Sequence, residues 1–177
     1  MRRCLLFGLP ALLIGVALQS ATLQRLSISD MARKSTTIVR ARISGSYTAQ
    51  HGSLIYTHYK AAVSEAWKGS AAAVDFAVPG GVLAPYRQTV SGAPRLTTGA
   101  EYVLFLWTGP SGLTQVMGLS QGVLNVVQDK NGDLMATRAA ATELMLDSRG
   151  QPVNDQPISI RLSDLRTQVR GTLEVAQ

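Results

Sequence analysis

Hydrophobic and polar positions alternate along most of this chain with a period near two, and the flanks depart from that rhythm. Thr36-Thr37-Ile38-Val39-Arg40-Ala41-Arg42-Ile43 is β-branched and alternates at its end, which predicts a strand. Gly45 to Gly52 is polar and predicts a turn region. Ser53 to Lys68 (SLIYTHYKAAVSEAWK) then predicts a long strand closed by Lys68-Gly69-Ser70. Val74 to Val78 alternates apolar with small or polar residues and stops at Pro79-Gly80-Gly81. Glu101 to Thr108 (EYVLFLWT) is apolar on both faces, so it predicts the central strand. Leu113–Met117, Gly122–Gln128 and Leu134–Thr137 complete the strands. The last two are joined by Asp129-Lys130-Asn131-Gly132, where Asn-Gly supplies the positive φ of a tight turn.

The flanks read differently. Ser29 to Ser35 (SDMARKS) predicts a short helix capped by Ser29. Pro152 to Pro157 is linker-like and leads into a helix around Ser163–Arg170. Leu162, Leu165, Val169 and Leu173 recur there at i, i+3, i+7 and i+11, on one helical face, and Gly171 is expected to shorten the helix. About six or seven strands with a helix at each end make the fold mainly β, a small barrel or sandwich. Between Gly80 and Gly99 the pattern lapses. This stretch holds Gly92, Pro85 and Pro94 and predicts a long loop with a short strand at Arg87–Val90, the place where function sits most readily on a rigid scaffold.

The extreme N-terminus is a separate matter. Met1-Arg2-Arg3 is basic, and Cys4 to Leu18 (CLLFGLPALLIGVAL) is fifteen residues without a charge, followed by Gln19-Ser20-Ala21. That order is the signature of a secretory signal peptide, and the run falls short of the roughly 20 apolar residues a membrane span needs. Residues 1–21 are therefore expected to direct export to the periplasm or medium, with cleavage after Ser20 or Ala21. Residues 22–177 are expected to form a single β-barrel domain with a C-terminal helical extension from about residue 158. The chain would touch a membrane only if the signal segment stayed uncleaved.

Removing that segment changes the composition. Arg2 and Arg3 leave with it, so Lys+Arg falls from 17 to 15 against 11 acids, and the net charge falls from +6 to +4. Those cations are scattered, with no basic stripe, which argues against nucleic acid and leaves a weak attraction for anionic envelope components as one alternative. Cys4 also leaves, so the mature domain has no cysteine. Thiol nucleophiles, thiolate metal sites and stabilising disulfides are excluded, and about 155 residues must rely on an apolar core.

Several segments together carry a resemblance. The long strand ending in "EAWKG", the short strand into "VPGG", the loop closing on "SGAPRLTTGAEYVLFL" and then "GLSQGVLNVV" resemble a group of uncharacterised exported bacterial proteins. Those are similar in turn to the OB-fold barrels of netrin-like domains and tissue inhibitors of metalloproteinases. The likeness covers roughly Asp30 to Thr137 and implies a small OB-like, Greek-key barrel with a short N-terminal helix and a C-terminal helix. Such inhibitors chelate the protease zinc through an N-terminal cysteine, which the expected mature start here lacks, so their mechanism does not carry over.

Four patterns mimic chemistry. Gly118-Leu119-Ser120-Gln121-Gly122 matches G-x-S-x-G, the nucleophile elbow of serine hydrolases, which needs a helix after the serine and a histidine later in the chain. Here a β-branched strand follows and both histidines precede, so a glycine-bracketed turn is expected, with a hydrolase using Ser120 as the rival. His51 and His58 stand seven apart across a loop and a strand, an odd spacing expected to point them to opposite faces, and no metal site is expected. Asp129 to Asp133 lacks the later glycine and glutamate of a calcium loop. Glu65, Glu101 and Asp75 are not expected to act as a catalytic carboxylate pair. Trp67 and Trp107 are expected at the core or its rim, while Tyr56, Tyr59 and Tyr86 are open as a binding surface.

The resulting expectation is a non-enzymatic binding module with no catalytic residue, cofactor or metal. Its candidate partner-binding residues are Tyr86, Arg87 and Arg95, meeting a protein partner in the envelope. Neither the partner nor the oligomeric state is legible in the sequence.

Overall fold

The structure, a computed structural model, describes residues 22–175; the expected signal segment and its cleavage site lie outside them. In chain order the elements are β1 (Thr22–Gln24), α1 (Ile28–Lys34), β2 (Thr37–His51), β3 (Leu54–Lys68), β4 (Ala73–Pro79), β5 (Gly81–Leu83), β6 (Tyr86–Gln88) and β7 (Glu101–Thr108). There follow β8 (Thr114–Val116), one turn of 3-10 helix (Leu119–Gly122), β9 (Val123–Gln128), β10 (Leu134–Arg138), β11 (Leu144–Leu146), β12 (Pro152–Val153), β13 (Ile158–Arg161) and α2 (Leu162–Glu174). Among the described residues the protein is mainly β with two helices. No helix among the described residues is long and apolar enough to cross a membrane.

One large sheet runs β13-β10-β9-β7-β2-β3-β4-β8. β8 pairs with β4 in parallel, through Ala77 opposite Gln115, and also with β7 in antiparallel register, from Leu106 opposite Val116 to Thr108 opposite Thr114. The pairings β7-β2-β3-β4-β8 therefore return on themselves, while β9, β10 and β13 extend the sheet from β7. Two small sheets, β1-β11-β12 and β5-β6, complete the strands.

β7 is the centre, as its two apolar faces imply. Tyr102, Leu104 and Leu106 point into one core with Val39, Ile43, Phe76 and Val78. Val103 and Phe105 point into a second, against Met31 of α1 and Leu162, Leu165 and Val169 of α2. The C-terminal helix covers one face of the sheet. Gly171 does not shorten it, because Leu173 beyond the glycine still packs on the second core. Trp67 lies in that core, whereas Trp107 is exposed.

Other boundaries shift for identifiable reasons. Ser27, not Ser29, caps α1: its Oγ accepts the Asp30 N–H at 3.0 Å while the Asp30 carboxylate accepts the Ser27 N–H at 3.2 Å. That reciprocal pair needs an acid three residues on, which Ser29 lacks. Gly45–Gln50 is strand rather than turn. Register slips near Ile38, Arg40 and Ser44 let β2 bend and keep pairing, so the true turn shrinks to Gly52-Ser53, with Gly52 at φ +61°. The expected strand at Arg87–Val90 is instead the β5–β6 hairpin, Gly81 opposite Gln88. In the Asp129–Gly132 turn only Gly132 takes positive φ, because Asp129 Oδ1 accepts the N–H groups of Asn131 and Asp133 and holds a wider loop.

Candidate functional site

The Gly80–Gly99 loop folds over one end of the sheet and encloses a cavity of about 430 Å³. Its floor is Thr48, Thr57 and Tyr59 of the β2–β3 pair, and its walls include Arg87, Gln88 and Arg95. Side-chain bonds hold the loop: Gln88 Oε1 accepts the Ile55 N–H at 2.6 Å, and the Thr57 hydroxyl donates to the Gly80 carbonyl at 2.8 Å. Gly81 must be glycine, since a Cβ there would lie 2.8 Å from Thr57 Oγ1 and 2.9 Å from Thr48 Cγ2.

Two of the three candidate residues, Arg87 and Arg95, line this cavity. Tyr86 does not; it stands outside on the β5–β6 hairpin, 70% exposed, beside exposed Val82. No acidic residue lines the cavity, and among the described residues neither arginine has an ion-pair partner. The result is two guanidinium groups beside threonine hydroxyls and no countercharge. Of the tyrosines left open, Tyr59 is core, its hydroxyl accepting the Leu96 N–H at 3.4 Å, and Tyr56 lies half-buried against His51.

Ser120 sits in the 3-10 turn between β8 and β9, with a strand rather than a helix after it. It borders a second cavity, of about 370 Å³, with Arg95, Arg138 and Glu143 but no histidine. The motif has a structural explanation. Gly118 and Leu119 take left-handed φ of +61° and +57°. A Cβ on Gly122 would lie 2.5 Å from the Met117 carbonyl oxygen. The turn places Gln121, which is buried and clasps the N-terminal segment: its Oε1 accepts the Leu26 N–H at 2.8 Å and its Nε2 donates to the Gln24 carbonyl at 3.0 Å.

Of the three acids singled out, Glu101 and Glu65 are paired with arginines. Glu101 bonds Arg40 at 2.9 Å and Ser64 at 2.9 Å. Glu65 bonds Arg166 of α2 at 2.8 Å. Burial pushes both carboxyls up, but the arginine and hydrogen-bond contacts outweigh it and hold them below the usual carboxylate range. They brace the sheet and α2.

The histidines depart from expectation. They share a face, because the parity argument counted along a single strand while the chain reverses at Gly52-Ser53. Across that hairpin His51 stands opposite Leu54 and Tyr47 opposite His58, so Tyr47, His51 and His58 project together. His51 Nε2 lies 3.0 Å from His58 Nε2, and His58 Nδ1 lies 3.0 Å from Asp75 Oδ1 on β4. Tyr47 stacks on the His58 ring at 4.7 Å and donates its hydroxyl to Asp75 Oδ2 at 3.1 Å. Desolvation, then the bond to the Asp75 carboxylate, raises the Tyr47 phenol above its ordinary value. An available signal was missed: a glycine between two β-rich runs marks a hairpin, and parity must then be counted across it.

No protein-family model, curated protein or solved structure matches this chain.

Proposed function

We propose that the protein is an exported, non-enzymatic binding module: a small OB-like barrel formed by β7, β2, β3, β4 and β8, with its Gly80–Gly99 loop as the partner-binding face. The observation that carries this reading is the cavity under that loop, where Arg87 and Arg95 face polar walls without a countercharge. A guanidinium left unpaired beside hydroxyl donors suits a carboxylate or other planar anion, which it binds with two parallel N–H bonds. The partner is therefore an envelope protein that presents an acidic side chain or C-terminus to the cavity, with Tyr86 and Val82 offering an apolar rim beside it. Export follows from the basic start and short apolar run at residues 1–21.

The test is affinity capture from the envelope fraction with the wild-type protein and with Arg87→Glu and Arg95→Glu. Both variants should fold normally, since the side chains are exposed. Each should lose about tenfold or more of the captured partner, as truncated or reversed arginine hot spots do. Capture that survives both reversals would remove the loop from consideration.

A further inference from the structure

We propose that His51 and His58, at the β2–β3 hairpin, form a binding site for one divalent transition-metal ion, with Cu(II) held most tightly. The case begins with His58. Its ring is fixed on two sides: Tyr47 stacks on one face at 4.7 Å, and Asp75 Oδ1 sits 3.0 Å from Nδ1. A carboxylate accepts, so Nδ1 is the nitrogen that carries the hydrogen and Nε2 is the one turned toward a ligand position. Asp75 is itself held by the Tyr47 hydroxyl at 3.1 Å. A carboxylate behind one ring nitrogen, orienting the other, is the outer shell that metal-binding histidines characteristically have.

That oriented Nε2 is aimed at a second imidazole nitrogen, His51 Nε2, at 3.0 Å. Two nitrogens bound at about 2.0–2.1 Å to one ion lie about 2.9 Å apart at a right angle and about 3.4 Å apart at the tetrahedral angle. The observed spacing falls inside that interval. His58 is buried while His51 is exposed at the hairpin end, so His51 is free to turn its lone pair onto an ion that His58 already faces. Among the described residues no three His, Cys, Asp or Glu side chains converge on one point. The protein therefore supplies two ligands, and water or a partner's donor group takes the rest. Imidazole pairs suit Cu(II), Ni(II) and Zn(II), and the general affinity order puts Cu(II) first.

Titrating the purified protein, free of any polyhistidine tag, with Cu(II) and separately with Zn(II) tests the site. One Cu(II) ion should bind, with an electron paramagnetic resonance spectrum showing coupling to two imidazole nitrogens. His51→Ala, at an exposed position, should keep the fold and lower Cu(II) affinity at least tenfold. Asp75→Asn removes no ligand, yet should lower affinity by about 10–100-fold, as outer-shell changes do. If Cu(II) binds the His51→Ala variant as tightly as wild type, or if no ion binds the wild type, the two rings make only an imidazole–imidazole hydrogen bond and the proposal fails.

Discussion

The side chains of Arg138 and Asp155 are buried and bonded to each other, with Arg138 Nη2 3.1 Å from Asp155 Oδ1 and the Ala141 N–H 2.7 Å from Oδ2. Burial pushes the Asp155 carboxyl up, but the Arg138 bond and the Ala141 N–H together hold it below its ordinary value. A carboxyl depressed in the folded state contributes stability that is present above its unfolded pKa, about 3.9, and lost as pH falls through the folded value. Acid should therefore destabilise the protein below about pH 4. Asp155→Asn should flatten that acid limb while costing about 3–5 kcal/mol at neutral pH, because Arg138 is left buried without its countercharge. Denaturant melts across pH 2–7 on the two proteins check both effects. Residues at this scale differ in how far the sequence exposes them. Arg87 and Arg95 lie in the glycine- and proline-rich loop that the sequence marks, and the fold places both on the cavity beneath it. The Asp75–His58–His51 cluster was not, because it needs the register of three strands, and a one-residue change in where the turn falls moves a histidine to the other face.

Among the elements, β7 was the most legible, since only a strand covered on both faces tolerates five consecutive large apolar residues. Leu104 and Phe105 are fully buried on its opposite faces. Leu104→Ala and Phe105→Ala should each cost about 2–5 kcal/mol, a large part of the roughly 5–15 kcal/mol such a domain has in total. Arg95→Ala should stay within about 0.5 kcal/mol, and thermal melts of the three variants separate the cases. The 3-10 turn after β8 makes a sharper contrast inside one motif. Gly122→Ala should cost about 1–3 kcal/mol through overpacking against backbone. Ser120→Ala should leave stability unchanged and should leave no hydrolytic activity to lose; labelling of Ser120 by a fluorophosphonate probe in the folded protein would contradict this. β2 was legible only in its first half. Its second half is polar because it lies at the exposed end of a hairpin, and polarity there reads as a turn.

For the whole molecule, the mainly β class and the C-terminal helix were legible from period, and the N-terminal helix from a capping serine ahead of it. The helices' destination was not, because one amphipathic face does not say which sheet face it covers. The N-terminal residues make a prediction of their own. Protein exported by a bacterial host should have an intact mass corresponding to a start near Ser20–Thr22, and a soluble species retaining residues 1–20 would contradict it.

β7 serves two cores at once, and this has a consequence for the order of synthesis. Its partners on one edge, Thr37 to Arg42, leave the ribosome long before it does, and those on the other edge, Val123 to Asn125, leave after it. Until Thr108 has emerged, β2, β3 and β4 have apolar sides with nothing to cover them, and α1 has no sheet to lie on. The nascent chain therefore exposes apolar strand faces through more than half of translation, and the second core waits longer still, until α2 has been made. Neither core can close over that interval, so the late arrival of the central strand sets the earliest point at which the chain can fold.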